Sequence, residues 1–261
     1  MKRILITNDD GIYSEGVRLL ARELKKHAEV VVVAPDREQS ATGHSLTLTR
    51  PLRMQRLEEG WYAVDGTPTD CVNLAVLWLL KESPPDLIVS GINFGLNVGD
   101  DVTYSGTVSA TFEGSLLGVP SIAFSQEVAE GFSFARSAAM AAIFVATLLA
   151  ESELPRDLIL NVNFPANGAR GVRFTRLGER VYRQSVTESV DPRGRKYYWI
   201  GGNEYQHEDI PGSDCNAVYQ QRLISVTPLH LDLTDYRGLE AYTDLARRLN
   251  ALAVEENGRD R

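Results

Sequence analysis

Two adjacent carboxylates, Asp9 and Asp10, follow an apolar run in the segment Ile4-Leu5-Ile6-Thr7-Asn8-Asp9-Asp10-Gly11. Side by side they repel each other, and the arrangement is unfavourable unless positive charge lies between them. A hard divalent cation such as Mg²⁺ or Mn²⁺ prefers oxygen ligands and would serve. Asn, Asp and Gly also favour turns, so a plain turn is the competing reading of this segment taken alone.

A second segment suits an anion. Tyr104-Ser105-Gly106-Thr107 leads into a stretch, 107–117, that reads as a helix ended by Gly118. A helix N-terminus presents unpaired N–H groups and a partial positive charge. Gly106 lets backbone approach a phosphate closely, and the hydroxyls of Ser105 and Thr107 add donors. Alone, these residues read first as an ordinary N-cap by Ser105; beside an acidic cation site they make a phosphate pocket. Asn93 and Asn97 each offer a carbonyl oxygen to a cation or an NH₂ to a phosphate, or are turn residues among Gly91, Gly95 and Gly99. Ser40 offers a hydroxyl oxygen, or is a loop serine. His44 is one of four histidines, a proton donor or a loop residue. Gly66-Thr67-Pro68-Thr69-Asp70 reads as a turn and helix cap. The sequence holds no GxGxxG, no Walker A loop and no CxxC motif.

These residues need elements to position them. Ile4–Thr7 reads as a strand, and Glu15–Lys26 as a helix with Val17, Leu20 and Leu24 at helical spacing and Ser14 able to cap it. Val30-Val31-Val32-Val33 is a β-branched run typical of a strand buried on both faces. The pattern predicts further helices at 69–81, 107–117 and 134–150, and strands at 86–92, 119–125 and 158–163. Such alternation implies an α/β fold, a mostly parallel sheet with helices on both faces. Polar loops after its buried strands converge on one edge, where such a sheet binds ligands. After Pro165 the character changes. Arg173, Arg176, Arg180, Tyr182, Arg183, Tyr197, Tyr198 and Trp199, with Gly201-Gly202 as a turn signal, suggest a β-rich hairpin attachment. A strand at 223–227 and a helix at 239–255 close the chain. The expected division is a core of residues 1–165, an attachment of 166–221 and a C-terminal strand and helix of 222–261.

The chain has 261 residues, 43% of them hydrophobic, enough for one large core. Its net charge is −8, with a pI near 5.1. Nucleic-acid binding normally needs a basic surface, so no nucleic acid is expected as partner. Two widely separated cysteines suggest free thiols in a reducing, cytoplasmic setting. Only three apolar residues separate Lys2-Arg3 from the first polar residue, too few for a signal-peptide core. The Ala-rich run 138–150 is well short of the roughly 20 residues a bilayer helix needs, so no membrane partner is expected.

Longer motifs then become recognisable. Asn8-Asp9-Asp10-Gly11, Ala34-Pro35-Asp36-Arg37 with Ser40, Ser45-Leu46-Thr47, Gly66-Thr67-Pro68-Thr69-Asp70-Cys71, Ser90-Gly91-Ile92-Asn93 and Gly99-Asp100-Asp101-Val102-Thr103-Tyr104-Ser105-Gly106-Thr107-Val108 occur in that order. Together they resemble the SurE (stationary-phase survival protein) family, densely over residues 1–125 and more thinly to Leu229. The resemblance implies a Rossmann-like core and a divalent-metal-dependent phosphatase of nucleoside 5′-monophosphates, extending to 3′-monophosphates and short polyphosphates. It implies one Mg²⁺ or Mn²⁺ per subunit on Asp9, Asp10, Ser40 and Asn93, and phosphate at Asn97, Ser105, Gly106 and Thr107. It also implies a homodimer or homotetramer in which the β-rich attachment and C-terminal segment are exchanged. No catalytic role carries over onto His44, where related sequences can have Asn.

The mechanism expected from these residues joins metal activation of a water to transition-state stabilisation at the helix N-terminus. Asp9 and Asp10 are the catalytic candidates, one of them accepting the proton of the water. A covalent aspartyl-phosphate is the competing route. The alternative functions are a Mg²⁺-nucleotide sensor without turnover and a zinc deacetylase, the latter disfavoured because no histidine lies near Asp9 and Asp10 in sequence.

Overall fold

A computed structural model describes residues 1–130, 132–181, 186–200 and 206–250. The strands are β1 (Arg3–Thr7), β2 (Glu29–Pro35), β3 (Met54–Glu58), β4 (Trp61–Val64), β5 (Leu87–Phe94), β6 (Ser121–Gln126), β7 (Ile159–Phe164), β8 (Val172–Phe174), β9 (Arg180–Val181), β10 (Val186–Val190), β11 (Lys196–Ile200), β12 (Gln206–His207) and β13 (Ile224–Leu229). The helices are α1 (Glu15–Leu24), α2 (Pro68–Leu74), α3 (Gly106–Leu116), α4 (Phe134–Leu149) and α5 (Tyr236–Ala241). A nine-stranded sheet runs in the order β3-β4-β2-β1-β5-β6-β7-β13-β8. Pairings from β4 through β7 are parallel, while β3 and β13 enter antiparallel to β4 and β7. The sheet is thus the mostly parallel α/β fold expected.

The buried strands alternate between two cores. Ile4 and Ile6 of β1 face one side with Val17, Leu20 and Leu24 of α1 and Ala138, Ala142 and Val145 of α4. Leu5 faces the other side with Val31 and Val33 of β2, Val72 of α2 and Ala110 of α3. The period-2 alternation of a strand places one helix layer on each face. From β1 the sheet is built outward in both directions, toward β2 and toward β5. Such a switch point leaves a crevice at the carboxyl ends of the strands, and Asp9 and Asp10 follow β1 there. Gly16 brings α1 to the rim of that crevice: a Cβ on it would lie 2.1 Å from the carbonyl oxygen of Ile92.

Several local expectations are corrected. Ser14 occupies the N-cap position of α1 without a capping bond from its side chain; its hydroxyl accepts instead from Asn8 Nδ2, at 2.8 Å. The helix expected at 69–81 is shorter, α2 passing into a π-helical turn at Ala75–Leu79. The segment Tyr104–Thr107 follows a 3₁₀ turn, Gly99–Thr103, rather than a strand. The β3–β4 hairpin had no clear alternating signal and extends the sheet beyond β2.

Within the segment after Pro165, β10 and β11 form an antiparallel hairpin, and β9 pairs with β12. Tyr182, Arg183 and the Gly201-Gly202 turn lie outside the described residues, as do residues 251–255 of the expected last helix. The chain divides into two compact units, Met1–His230 and Leu231–Arg261. In the second, α5 is followed by further helix over residues 243–250. Among the described residues no helix is long and apolar enough to cross a membrane.

Candidate active site

Asp9 is 4% exposed and lies against the first turn of α3. Its Oδ1 accepts from the Thr107 hydroxyl, and the backbone N–H groups of Gly106 and Thr107 also act on its carboxylate. The helix N-terminus therefore faces a carboxyl group, that of Asp9 itself. Ser105 caps α3 by accepting from Val108 N at 3.1 Å, so its hydroxyl oxygen serves the helix. Asp10 is half-buried, and its Oδ2 accepts from the backbone N–H of Phe94 at 3.1 Å. That bond ties the end of β1 to the end of β5, one residue past Asn93.

The loop after β2 is fixed to the same place. The Gln39 N–H donates to the Asp9 carbonyl at 2.8 Å. Ser40 is exposed, and its hydroxyl donates to Glu38 Oε1 at 2.7 Å. Asn93 Nδ2 donates to the Gly95 carbonyl at 2.9 Å, which leaves its Oδ1 as the available atom. Asn97 is buried, its Nδ2 bonded to Ser125 Oγ at 2.8 Å and its backbone held by Asn161 and Asn163. The structure therefore brings Asp9, Asp10, Gly106 and Thr107 into contact or close sequence. Ser40 follows Gln39, whose N–H reaches Asp9, and Asn93 precedes Phe94, whose N–H reaches Asp10, while the Asn97 amide turns toward β6.

Burial is the first cause of the electrostatics. It raises the Asp9 carboxyl above the ordinary aspartate range, against hydrogen bonds from Thr107 and Gly106 that lower it. Burial, then the Asp9 charge, and to a lesser degree Glu38, push Asp10 up to about 6, against the Phe94 N–H. Among the described residues no Lys, Arg or His forms an ion pair with Asp9 or Asp10. Two carboxylates raised by burial and mutual repulsion, with neighbouring amide and hydroxyl oxygens, fit a hard dication. No three His, Cys, Asp or Glu side chains cluster for a metal among the described residues; the candidate set has only two such residues, completed by Asn and Ser.

Three buried carboxylates hold the surrounding loops. Asp70 forms a capping box with Thr67 and accepts the Thr47 N–H at 2.9 Å. Glu113 accepts from Asn73 Nδ2 at 2.6 Å and pairs with His44 Nε2 at 2.7 Å. Asp214 accepts N–H groups of Gly99, Gly178 and Cys215 at 2.7–2.9 Å. The Thr-x-x-Asp spacing signals the first; a lone Glu in a helix and a lone Asp in a loop carry no such signal.

Comparison with known proteins bears on the family and the fold. The family model described as Survival protein SurE matches residues 4–184. The 5′-nucleotidase SurE of Myxococcus xanthus is 54% identical over 236 residues, covering 90% of each chain. That of Syntrophotalea carbinolica is 54% identical over 241 residues, covering 91% of this chain and 94% of its own. The crystal structure of the SurE protein from Aquifex aeolicus superimposes with a TM-score of 0.83 at 44% identity, covering 94% of this chain and 99% of its own. The chain belongs to the SurE family.

Proposed function

We propose that this chain is a divalent-metal-dependent phosphomonoesterase that hydrolyses nucleoside 5′-monophosphates to nucleoside and phosphate. The observation that carries the chemistry is the contact of Asp9 with the first turn of α3, with Asp10 one residue on and, among the described residues, no basic partner for either. The 5′-nucleotidase names of the relatives support the substrate class. Asp9, Asp10, Asn93 and Ser40 would hold Mg²⁺ or Mn²⁺, one per subunit, and Ser40 would turn its hydroxyl away from Glu38 to do so. When bound, the cation neutralises phosphoryl charge and lowers the pKa of a neighbouring water.

The chain's own residues do the rest. The N–H groups and hydroxyl at Gly106 and Thr107 hold the phosphoryl oxygens as negative charge shifts onto them, with Ser105 and Asn97 shaping the pocket. Asp9 yields part of its donor set to the phosphate. One of the two carboxylates, Asp9 or Asp10, accepts the proton of the attacking water. A pocket that grips phosphate at a helix end also admits 3′-monophosphates and short polyphosphates. The free, buried Cys71 and Cys215 support a reducing, cytoplasmic setting. Exposed Val186, Val190, Tyr198, Trp199 and Ile200 on the β10–β11 hairpin support a homodimer or homotetramer.

The test is phosphate release from a panel of nucleoside monophosphates with Mg²⁺, Mn²⁺ or EDTA, for wild type and Asp9→Asn. Metal-dependent release that the variant loses supports the reading. Nucleotide binding without release under any metal would make the protein a sensor instead.

A further inference from the structure

Phe94 ends β5 immediately after Asn93, and its ring is 57% exposed. Its backbone N–H donates to Asp10 Oδ2 at 3.1 Å, so the residue is anchored one hydrogen bond from the carboxylate pair. The ring is braced from behind. Phe132 meets it edge-on at 5.8 Å with a 75° interplanar angle, and Phe134 lies at 6.4 Å. Phe132 and Phe134 in turn pack at 5.4 Å and 90°. Phe134 is 7% exposed and joins the core at the start of α4. A rigidly mounted aromatic ring is thus left in solvent at the rim of a polar site. Leaving that much apolar area in water is unfavourable.

We propose that Phe94 is the stacking platform for the nucleobase of the substrate, which rests on the nucleotidase reading above. With phosphate at the first turn of α3, a mononucleotide places its base one ribose away from the Asp9–Asp10 pair, and Phe94 is the braced ring at that margin. Stacking on a neutral ring uses the π-face that every base has and reads no base edge. The platform therefore favours nucleotides over other phosphomonoesters while discriminating weakly among bases. Tyr104, which precedes Ser105, is also exposed, at 59%. Among the described residues it has no ring partner to hold it in place, which favours Phe94.

The experiment compares kcat and KM for AMP and for ribose 5-phosphate, which lacks the base, in wild type, Phe94→Ala, Phe94→Leu, Phe94→Trp and Tyr104→Ala. The Ala and Leu variants are expected to raise KM for AMP about tenfold more than KM for ribose 5-phosphate, with Trp restoring the preference. Leu keeps the apolar packing and removes only the π-face, so its loss separates stacking from folding. Equal shifts for both substrates would overturn the proposal, since the ring would then act only by holding the backbone at Asp10. A base-dependent loss in Tyr104→Ala rather than in the Phe94 variants would overturn it too. Wild type that hydrolyses both substrates with equal kcat/KM would overturn it while the phosphatase reading stands. Wild type inactive on both would remove the nucleotidase reading and this proposal together.

Discussion

A Cβ built on Gly106 would lie 2.8 Å from the Cβ of Asp9 and 2.9 Å from its Oδ2. The glycine is what lets the start of α3 close onto the carboxylate that follows β1. Gly106→Ala has to push Asp9 and the helix end apart by several tenths of an ångström or more. Because the site depends on placement at that scale, the expected loss in kcat/KM for AMP is about a hundredfold. Helix propensity itself favours Ala over Gly, so the melting temperature should change little. Activity within threefold of wild type would mean that the close approach does not matter to the reaction.

The Thr107 hydroxyl donates to Asp9 Oδ1 while Thr107 is fully buried. Thr107→Val keeps the shape and removes the donor. It leaves a buried carboxylate short of one partner, a change that costs about 1–3 kcal/mol. Thr107→Ser keeps the hydroxyl. The expected order of kcat/KM is therefore wild type, then Ser close behind, then Val lower by one to two orders of magnitude. Steady-state phosphate release on the three proteins checks it, and a Val variant as active as Ser would show that the hydroxyl is dispensable.

Asp9 and Asp10 are adjacent acids, and both carboxyls are raised by burial. A raised folded-state pKa means that the fold holds a proton the unfolded chain has already released. For Asp10, stability is fully present below the ordinary value of 3.8 and is lost as pH rises through about 6. In EDTA, the melting temperature should therefore fall across that window. Asp10→Asn should flatten the fall and stabilise the metal-free protein near neutral pH while abolishing phosphate release. Bound cation requires both carboxylates ionised, so Mg²⁺ or Mn²⁺ should protect against melting at pH 7.5 and progressively less below about pH 6. A melting curve independent of pH in EDTA, or metal protection undiminished at pH 5, would contradict this.

Much of the frame was legible because each layer wrote its own period into the chain. The valine run of β2 and the α1 pattern of Val17, Leu20 and Leu24 specify a doubly buried strand and an amphipathic helix directly. The adjacent acids and the Ser-Gly-Thr helix start were legible as chemistry only together, since each alone reads as an ordinary turn or N-cap. What stayed hidden depends on tertiary neighbours. The Asn8–Ser14 bond displaces an expected cap because the end of β1 passes close to the start of α1. The Asn97 amide faces Ser125 because β5 and β6 are paired, and no local pattern reports which strand lies alongside. Glu113 and Asp214 are invisible for the same reason, since their partners are backbone N–H groups and side chains distant in sequence.

Asp214 shows how far such a contact reaches. It is fully buried and accepts N–H groups from Gly99, Gly178 and Cys215. Gly99 opens the 3₁₀ turn that delivers Tyr104 and Ser105 to α3. Burial raises the Asp214 carboxyl even against three donors, so its charge is disfavoured while its acceptor geometry is needed. Asp214→Asn keeps the size but turns one acceptor into an NH₂ that faces an N–H. Asp214→Ala orphans all three donors, and a loss of about 3 kcal/mol is expected, near the top of the range for point substitutions. For a unit of this size that corresponds to a fall in melting temperature of roughly 6–12 °C. The Ala variant should also lower kcat more than it raises KM for ribose 5-phosphate, because the turn that sets the helix start is loosened rather than any substrate contact removed. Thermal melting and steady-state kinetics on both variants check it. A destabilised protein with full kcat would confine Asp214 to the fold and detach it from the site.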